Sequence, residues 1–157
     1  MKQRNPFHLL RDEHGASLVE LALLLPIFLV LVFGAVDFGR AFYLSTELSG
    51  AVHAAAVYGA QNPTDITGMQ DTAQFDAPDV PGLSVGTPTY GCECADGTLF
   101  SASCATSLKS SSCPNNLNVV DRVNVTVTAT YKPLFPWPGI PSSMSLSSSA
   151  SMRSGGS

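Results

Sequence analysis

Four cysteines in this chain of 157 residues, Cys92, Cys94, Cys104 and Cys113, are spaced C-x-C-x9-C-x8-C. Four thiolates can bind zinc, but structural zinc sites favour knuckles with roughly two to four residues between paired cysteines. Here a single residue separates Cys92 from Cys94. The stretch from Cys92 to Cys113 is rich in Ser, Gly and Thr and short of large apolar groups. It cannot hold itself together by burial, so crosslinks are the natural staple. Disulfides are therefore the favoured reading. Four cysteines allow three pairings, and a Cys92–Cys94 bond is disfavoured on steric grounds. With extended flanks, the preferred pairing nests Cys94–Cys104 inside Cys92–Cys113.

Acid–base chemistry has little material. Of three histidines, His8 and His14 lie ahead of the apolar run described below, and His53 sits in an alanine-rich stretch far in sequence from any Ser or Cys nucleophile. A structural histidine is the simpler reading. No glycine-rich phosphate loop follows a strand pattern, and no carboxylates pair near a cleft. The net charge of −4 includes no basic patch, which argues against nucleic acid as a partner. The expectation is a protein that is not an enzyme, with no cofactor, no metal and no small-molecule substrate.

The element that positions everything else begins at Ala16. From Leu21 to Val36 there are 16 residues without charge, and the apolar character reaches back to Ala16, broken only by Glu20. About 21 helical residues at roughly 1.5 Å each span about 30 Å, the thickness of a bilayer's hydrocarbon core. Soluble core helices rarely stay apolar on every face for so long. Glu20 stands one turn into this segment, where a lone carboxylate is costly and a partner should be sought. Pro26 removes a backbone donor and predicts a bend. Asp37 and Arg40, one turn apart, mark the far boundary and suit an i,i+3 ion pair that sets the helix's depth. Lys2, Arg4 and Arg11 precede the run, so the positive-inside bias places the N-terminus in the cytoplasm and the chain after about residue 40 outside.

Beyond the span the helical pattern continues to Ala60 before Gln61-Asn62-Pro63 interrupts it. Ala51, Ala54, Ala55, Ala56, Gly59 and Ala60 are small, which favours close packing against other subunits. Residues 61–82 carry Pro63, Gly68, Pro78, Pro81 and Gly82 and read as a linker, with one helical turn near Ile66 to Phe75. Leu83 to Tyr90 suits a short edge strand limited by Pro88. Val119 to Tyr131 alternates strictly, with Val123, Val125, Val127, Ala129 and Tyr131 on one face and Asn124, Thr126, Thr128 and Thr130 on the other, the period of a half-buried strand. Met144 to Met152 alternates more weakly and is expected to pair with it antiparallel across a proline-rich connection that holds Trp137 and Phe135.

The residues His14-Gly15-Ala16-Ser17-Leu18-Val19-Glu20 resemble the cleavage site of type IV prepilins and pseudopilins: a glycine, a small residue, and a glutamate fifth after the glycine. Continued through Leu21-Ala22-Leu23-Leu24-Leu25-Pro26 to Gly34, Asp37, Gly39 and Arg40, the segment resembles the TadE-like family of minor pilins of tight-adherence, Flp-type pilus systems. The likeness is good over residues 15–60 and weaker beyond. It implies processing at Gly15, Ala16 and Glu20 by a prepilin peptidase that cuts after Gly15. It implies that Glu20 pairs with the new amino terminus of Ala16 on a neighbouring subunit, and that Pro26, Asp37 and Arg40 take part in assembly. The partners implied are that peptidase, other minor and major pilins, the inner-membrane assembly platform and the lipid bilayer.

The fold expected is α+β: a long N-terminal transmembrane and stalk helix followed by a small antiparallel β-sheet domain with a disulfide-rich loop. Residues 1–15 form the leader, 16–36 the transmembrane helix, 37–60 its outer continuation, 61–82 the linker, 83–153 the extracytoplasmic β domain and 154–157 a disordered tail. The function expected is a minor pilin or pseudopilin, held in the inner membrane by one span and able to enter an extracellular pilus. The alternative is an exported or single-pass anchored binding domain unrelated to pili.

Overall fold

The computed structural model describes residues 13–98, 101, 113–114 and 118–154. Leader residues 1–12, Cys104 and tail residues 155–157 lie outside them. Six elements follow in order: α1 (Glu13–Gln61), α2 (Ile66–Asp76), β1 (Ser84–Val85), β2 (Thr89–Cys94), β3 (Val119–Tyr131) and β4 (Met144–Arg153). The chain divides into two compact units, Met1–Gly39 and Arg40–Ser157.

In the first unit the described residues form one helix. It continues through Pro26, although that residue leaves the carbonyl of Ala22 without its i+4 donor. Large apolar side chains such as Leu18, Leu23, Phe28 and Leu31 all point outward, and no preferred face exists.

In the second unit the outer part of α1 has a clear face. Leu48, Ala51, Val52, Ala55 and Ala56 are buried together with Val123, Val125, Val127 and Ala129 of β3, and with Met69 and Ala73 of α2. Burying each branched side chain contributes about 1.5–3 kcal/mol. The alanines let the helix lie close to the sheet, so Ala51, Ala55 and Ala56, expected from composition to pack between subunits, pack within this chain instead. Ala51, Ala55 and Ala56 are fully covered by this chain's own core.

The stretch expected to be a linker holds α2, a helix of 11 residues with Met69 and Ala73 buried. Asp65 caps it: the amide of Gly68 donates to Asp65 Oδ1 at 2.9 Å, satisfying one of the donors that a helix start leaves open. That short-range contact and two buried side chains convert a proline-flanked segment into part of the core.

β3 is the centre of an antiparallel sheet. β4 pairs with it over ten residue pairs, from Arg122–Arg153 to Tyr131–Met144. On the other side, β1 and β2 occupy one lane, pairing Ser84 with Thr128 and Thr89 with Asn124. Pro88 cannot donate to a ladder and lies in the break between them, while the amide of Gly86 still reaches the Thr126 carbonyl at 2.9 Å. The single strand expected over Leu83 to Tyr90 is thus two, and the second continues to Cys94. Odd-numbered residues of β3 face the helix and even-numbered ones, with Ser145, Ser147, Ser149 and Ser151 of β4, face away, as the alternation predicts, while Ser148 is on the helix side.

Candidate anchoring and assembly site

α1 supplies the one helix among the described residues that is long and apolar enough to cross a membrane, Ser17–Gln61, and none of its most apolar window is buried inside the protein. A surface that is apolar on all sides is unstable in water and matches hydrocarbon. It is a candidate membrane anchor.

The residues singled out in the sequence fall along this helix. Gly15 and Ala16 belong to the first turn of α1, which starts at Glu13, where backbone amides have no intrahelical acceptor. Glu20 is exposed among leucines. Asp37 follows 17 residues later, about 25 Å along the axis, so the helix keeps the two carboxylates far apart. Asp37 is only 5% exposed. Arg40 is directed at the sheet: its guanidinium carbon lies 6.0 Å from the centroid of the Tyr131 ring, within cation–π range. Tyr131 is the last residue of β3 and is 2% exposed. Past it, Phe135 and Trp137 meet edge to face, with centroids 6.3 Å apart and planes at 70°. Leu134, Phe135 and Ile140 in the same connection are exposed.

The cysteines pair differently from the nested expectation. Cys94 is bonded to Cys113, 19 residues on, with Cα atoms 5.6 Å apart. Cys92 is disulfide-bonded as well. Cys92 and Ser101 form an antiparallel bridge, exchanging two backbone hydrogen bonds of 2.7 Å, and the end of β2 brings Cys94 within bonding distance of Cys113. Both sulfurs of the Cys94–Cys113 bond are lost to a four-thiolate zinc site.

Three polar pairs escaped the sequence reading. Glu93, 4% exposed, forms an ion pair with Arg122 on the face of the sheet away from α1. The Tyr90 hydroxyl donates to Asp121 Oδ2 at 2.8 Å, which raises the phenol's pKa because the bond would be lost on ionisation. The Tyr58 hydroxyl donates to Asp65 Oδ2 at 2.6 Å. That bond and the Gly68 amide hold the Asp65 carboxyl below its ordinary value. The Asp65 cap had a local signal, an acidic residue just ahead of a helical stretch. The pairs from β2 to β3 had none, since their partners are about thirty residues apart and only register unites them.

His53 is exposed on α1. No metal-binding group of three or more His, Cys, Asp or Glu side chains exists among the described residues.

Residues 15–57 match the family model described as TadE-like protein, and the segment is TadE-like in the plain sense of that match. It covers the apolar run and the outer helix as far as Val57, and stops before α2. No curated protein and no solved structure matches the chain.

Proposed function

We propose, from a chain whose residues 15–57 are TadE-like, that this protein is a minor pilin or pseudopilin in the biogenesis of a tight-adherence pilus. The TadE-like segment relates it to that apparatus, and the finer assignment is ours. What carries it is one conjunction: the matched segment coincides with a helix that is apolar and outward-facing from Leu18 to Val36 and then buries one face against a crosslinked sheet.

In this reading α1 holds the protein in the inner membrane with its N-terminus in the cytoplasm and the sheet outside. A prepilin peptidase cuts after Gly15. Cleavage creates the ammonium of Ala16, and Glu20 of a neighbouring subunit accepts it. Two opposite charges that are each costly in a low-dielectric setting become tolerable together. Pro26, Asp37 and Arg40 set the bend and depth with which the helix meets other pilins and the assembly platform. The protein is not an enzyme and acts through packing alone.

The test is the N-terminal sequence and intact mass of protein taken from native membranes. A start at Ala16 supports prepilin-type processing. A start beyond residue 34 would mean an ordinary signal peptide, and an uncut Met1 would leave a simple anchor.

A further inference from the structure

We propose that the connection between β3 and β4, Lys132 to Pro141, is a second membrane contact, with Leu134, Phe135, Trp137 and Ile140 seated in the interfacial layer of the bilayer that α1 enters. This rests on the reading of α1 as the anchor.

Three contacts establish the level of the loop. β3 runs along the outer part of α1 in the opposite direction. Near its start, a Cβ placed on Gly59 would stand 2.8 Å from Val123 Cγ1. Midway, Ser49 Oγ lies 3.4 Å from Ser148 Oγ, and Ser148 is the register partner of Val127. At its end, Arg40 stacks over Tyr131. The two paths agree in length: from Gly59 back to Arg40 the helix falls about 28 Å, and from Val123 to Tyr131 the strand advances about 26 Å. β3 therefore delivers the chain to the level of Arg40. Along α1 the uncharged run ends at Val36, four residues earlier, about 6 Å of helix rise.

The loop's chemistry suits that depth. Leu134 is 55% exposed and Ile140 48%, beside the Phe135–Trp137 pair. Aromatic rings with a polar edge concentrate where hydrocarbon meets headgroups. Phe42 and Tyr43 of α1, just past Arg40, are exposed as well, as a belt would be. Lys132 has a long stem that can reach phosphates while its carbons stay in apolar surroundings. Irregular backbone is costly near lipid because its amides need acceptors. Pro133, Pro136, Pro138 and Pro141 have no amide proton at all, so this loop carries four fewer such donors than an ordinary one of its length.

Trp137 is the chain's single tryptophan, so its emission reports this loop alone. The full chain is reconstituted in phosphatidylcholine vesicles containing lipid brominated either near the ester linkage or near the chain end, and floated after an alkaline carbonate wash. The expected result is loss of Trp137 emission with the shallow bromines, less loss with the deep ones, and weak quenching by aqueous iodide. The doubly substituted Leu134→Ser, Ile140→Ser protein, which keeps Trp137, should lose bromine quenching and gain iodide quenching. Floated protein quenched by iodide but not by bromine would overturn the proposal, because the loop then faces water. Protein shielded from both quenchers would also overturn it, because the loop then faces protein, a second copy included. Bromine quenching that persists in the double variant would remove the role given to Leu134 and Ile140. Failure to float would sink the anchor itself, and this inference with it, whereas flotation with an unquenched Trp137 would sink the loop contact alone.

Discussion

Glu93 on β2 and Arg122 on β3 form an ion pair across the sheet, on the face turned away from α1. They are diagonal neighbours, since Glu93 stands opposite Val120 and Arg122 opposite Gly91. The carboxylate is buried, and Arg122 Nε finds no hydrogen-bond partner among the described residues. The pair is thus single-pronged, and its main effect is to keep a buried charge compensated.

Arg122→Ala should therefore destabilise more than loss of a surface ion pair, by about 3 kcal/mol, because it strands Glu93 in the sheet. Replacing both residues with leucine should recover most of that loss. Urea unfolding of the full chain in detergent, followed by near-ultraviolet circular dichroism, measures both. Equal losses in the single and double variants would refute the argument.

Gly59 and Gly39 lie in one helix but should respond oppositely to alanine. A Cβ at Gly59 would collide with Met69 Sδ and stand 2.8 Å from Val123 Cγ1, while one at Gly39 meets nothing within 4 Å. Overpacking at Gly59 should cost about 1–3 kcal/mol. Gly39→Ala should be neutral or stabilising by up to about 1 kcal/mol through helix propensity. Thermal melts of the two variants decide this, and a stable Gly59→Ala protein would mean that α1 and α2 are not packed as described.

The disulfide pattern is open to direct mapping. Cleavage after Glu93 separates Cys92 from Cys94, and cleavage after Lys109 separates Cys104 from Cys113. Mass spectrometry of such a digest, done without reduction, should recover Cys94 joined to Cys113. Substituting both by alanine should lower stability by about 3 kcal/mol, the magnitude expected for a loop of this size. A Cys94–Cys104 peptide would contradict the Cys94–Cys113 bond.

The cap of α2 should weaken in acid. Hydrogen bonds from Tyr58 and from the Gly68 amide keep the folded Asp65 carboxyl below its ordinary value of 3.8. A depressed folded value contributes stability that is present above the unfolded value and is lost as pH falls through the folded one. Amide exchange at Gly68 should accelerate below about pH 3.8. Tyr58→Phe should move the Asp65 titration up toward that value, and an unchanged titration would mean the hydroxyl is not a donor in solution.

On the proposed reading of this chain as a pilin, Glu20→Ala should leave α1 membrane-inserted and abolish assembly with other pilins, because only the carboxylate can neutralise the ammonium that cleavage would create. Glu20→Asp should rescue in part. Pilus assembly in cells, scored beside carbonate extraction, separates the two effects. Full assembly of the alanine protein would favour a plain anchor.

Much of this architecture was legible in one dimension. Periodicity alone located β3 at Val119 to Tyr131 and its partner beginning at Met144, because an alternation of branched and polar residues has few other uses. The candidate membrane helix needed only length and the absence of charge. α2 was half visible: its buried residues are few, and the prolines around it suggest a loop until the Asp65 cap is seen. The alanines of α1 were misleading, since small side chains permit close approach without saying to whom.

The candidate site divides the same way. Gly15, Ala16, Glu20 and Pro26 lie on one continuous helix, so their spacing along the chain is their spacing in space, and sequence by itself determined the candidate anchor and the motif at its head. Arg40 over Tyr131, Glu93 beside Arg122 and Cys94 bonded to Cys113 are decisions of the tertiary structure. Each joins residues far apart in the chain, and the strands, whose facing a slip of one residue would reverse, supply Tyr131, Glu93 with Arg122, and Cys94.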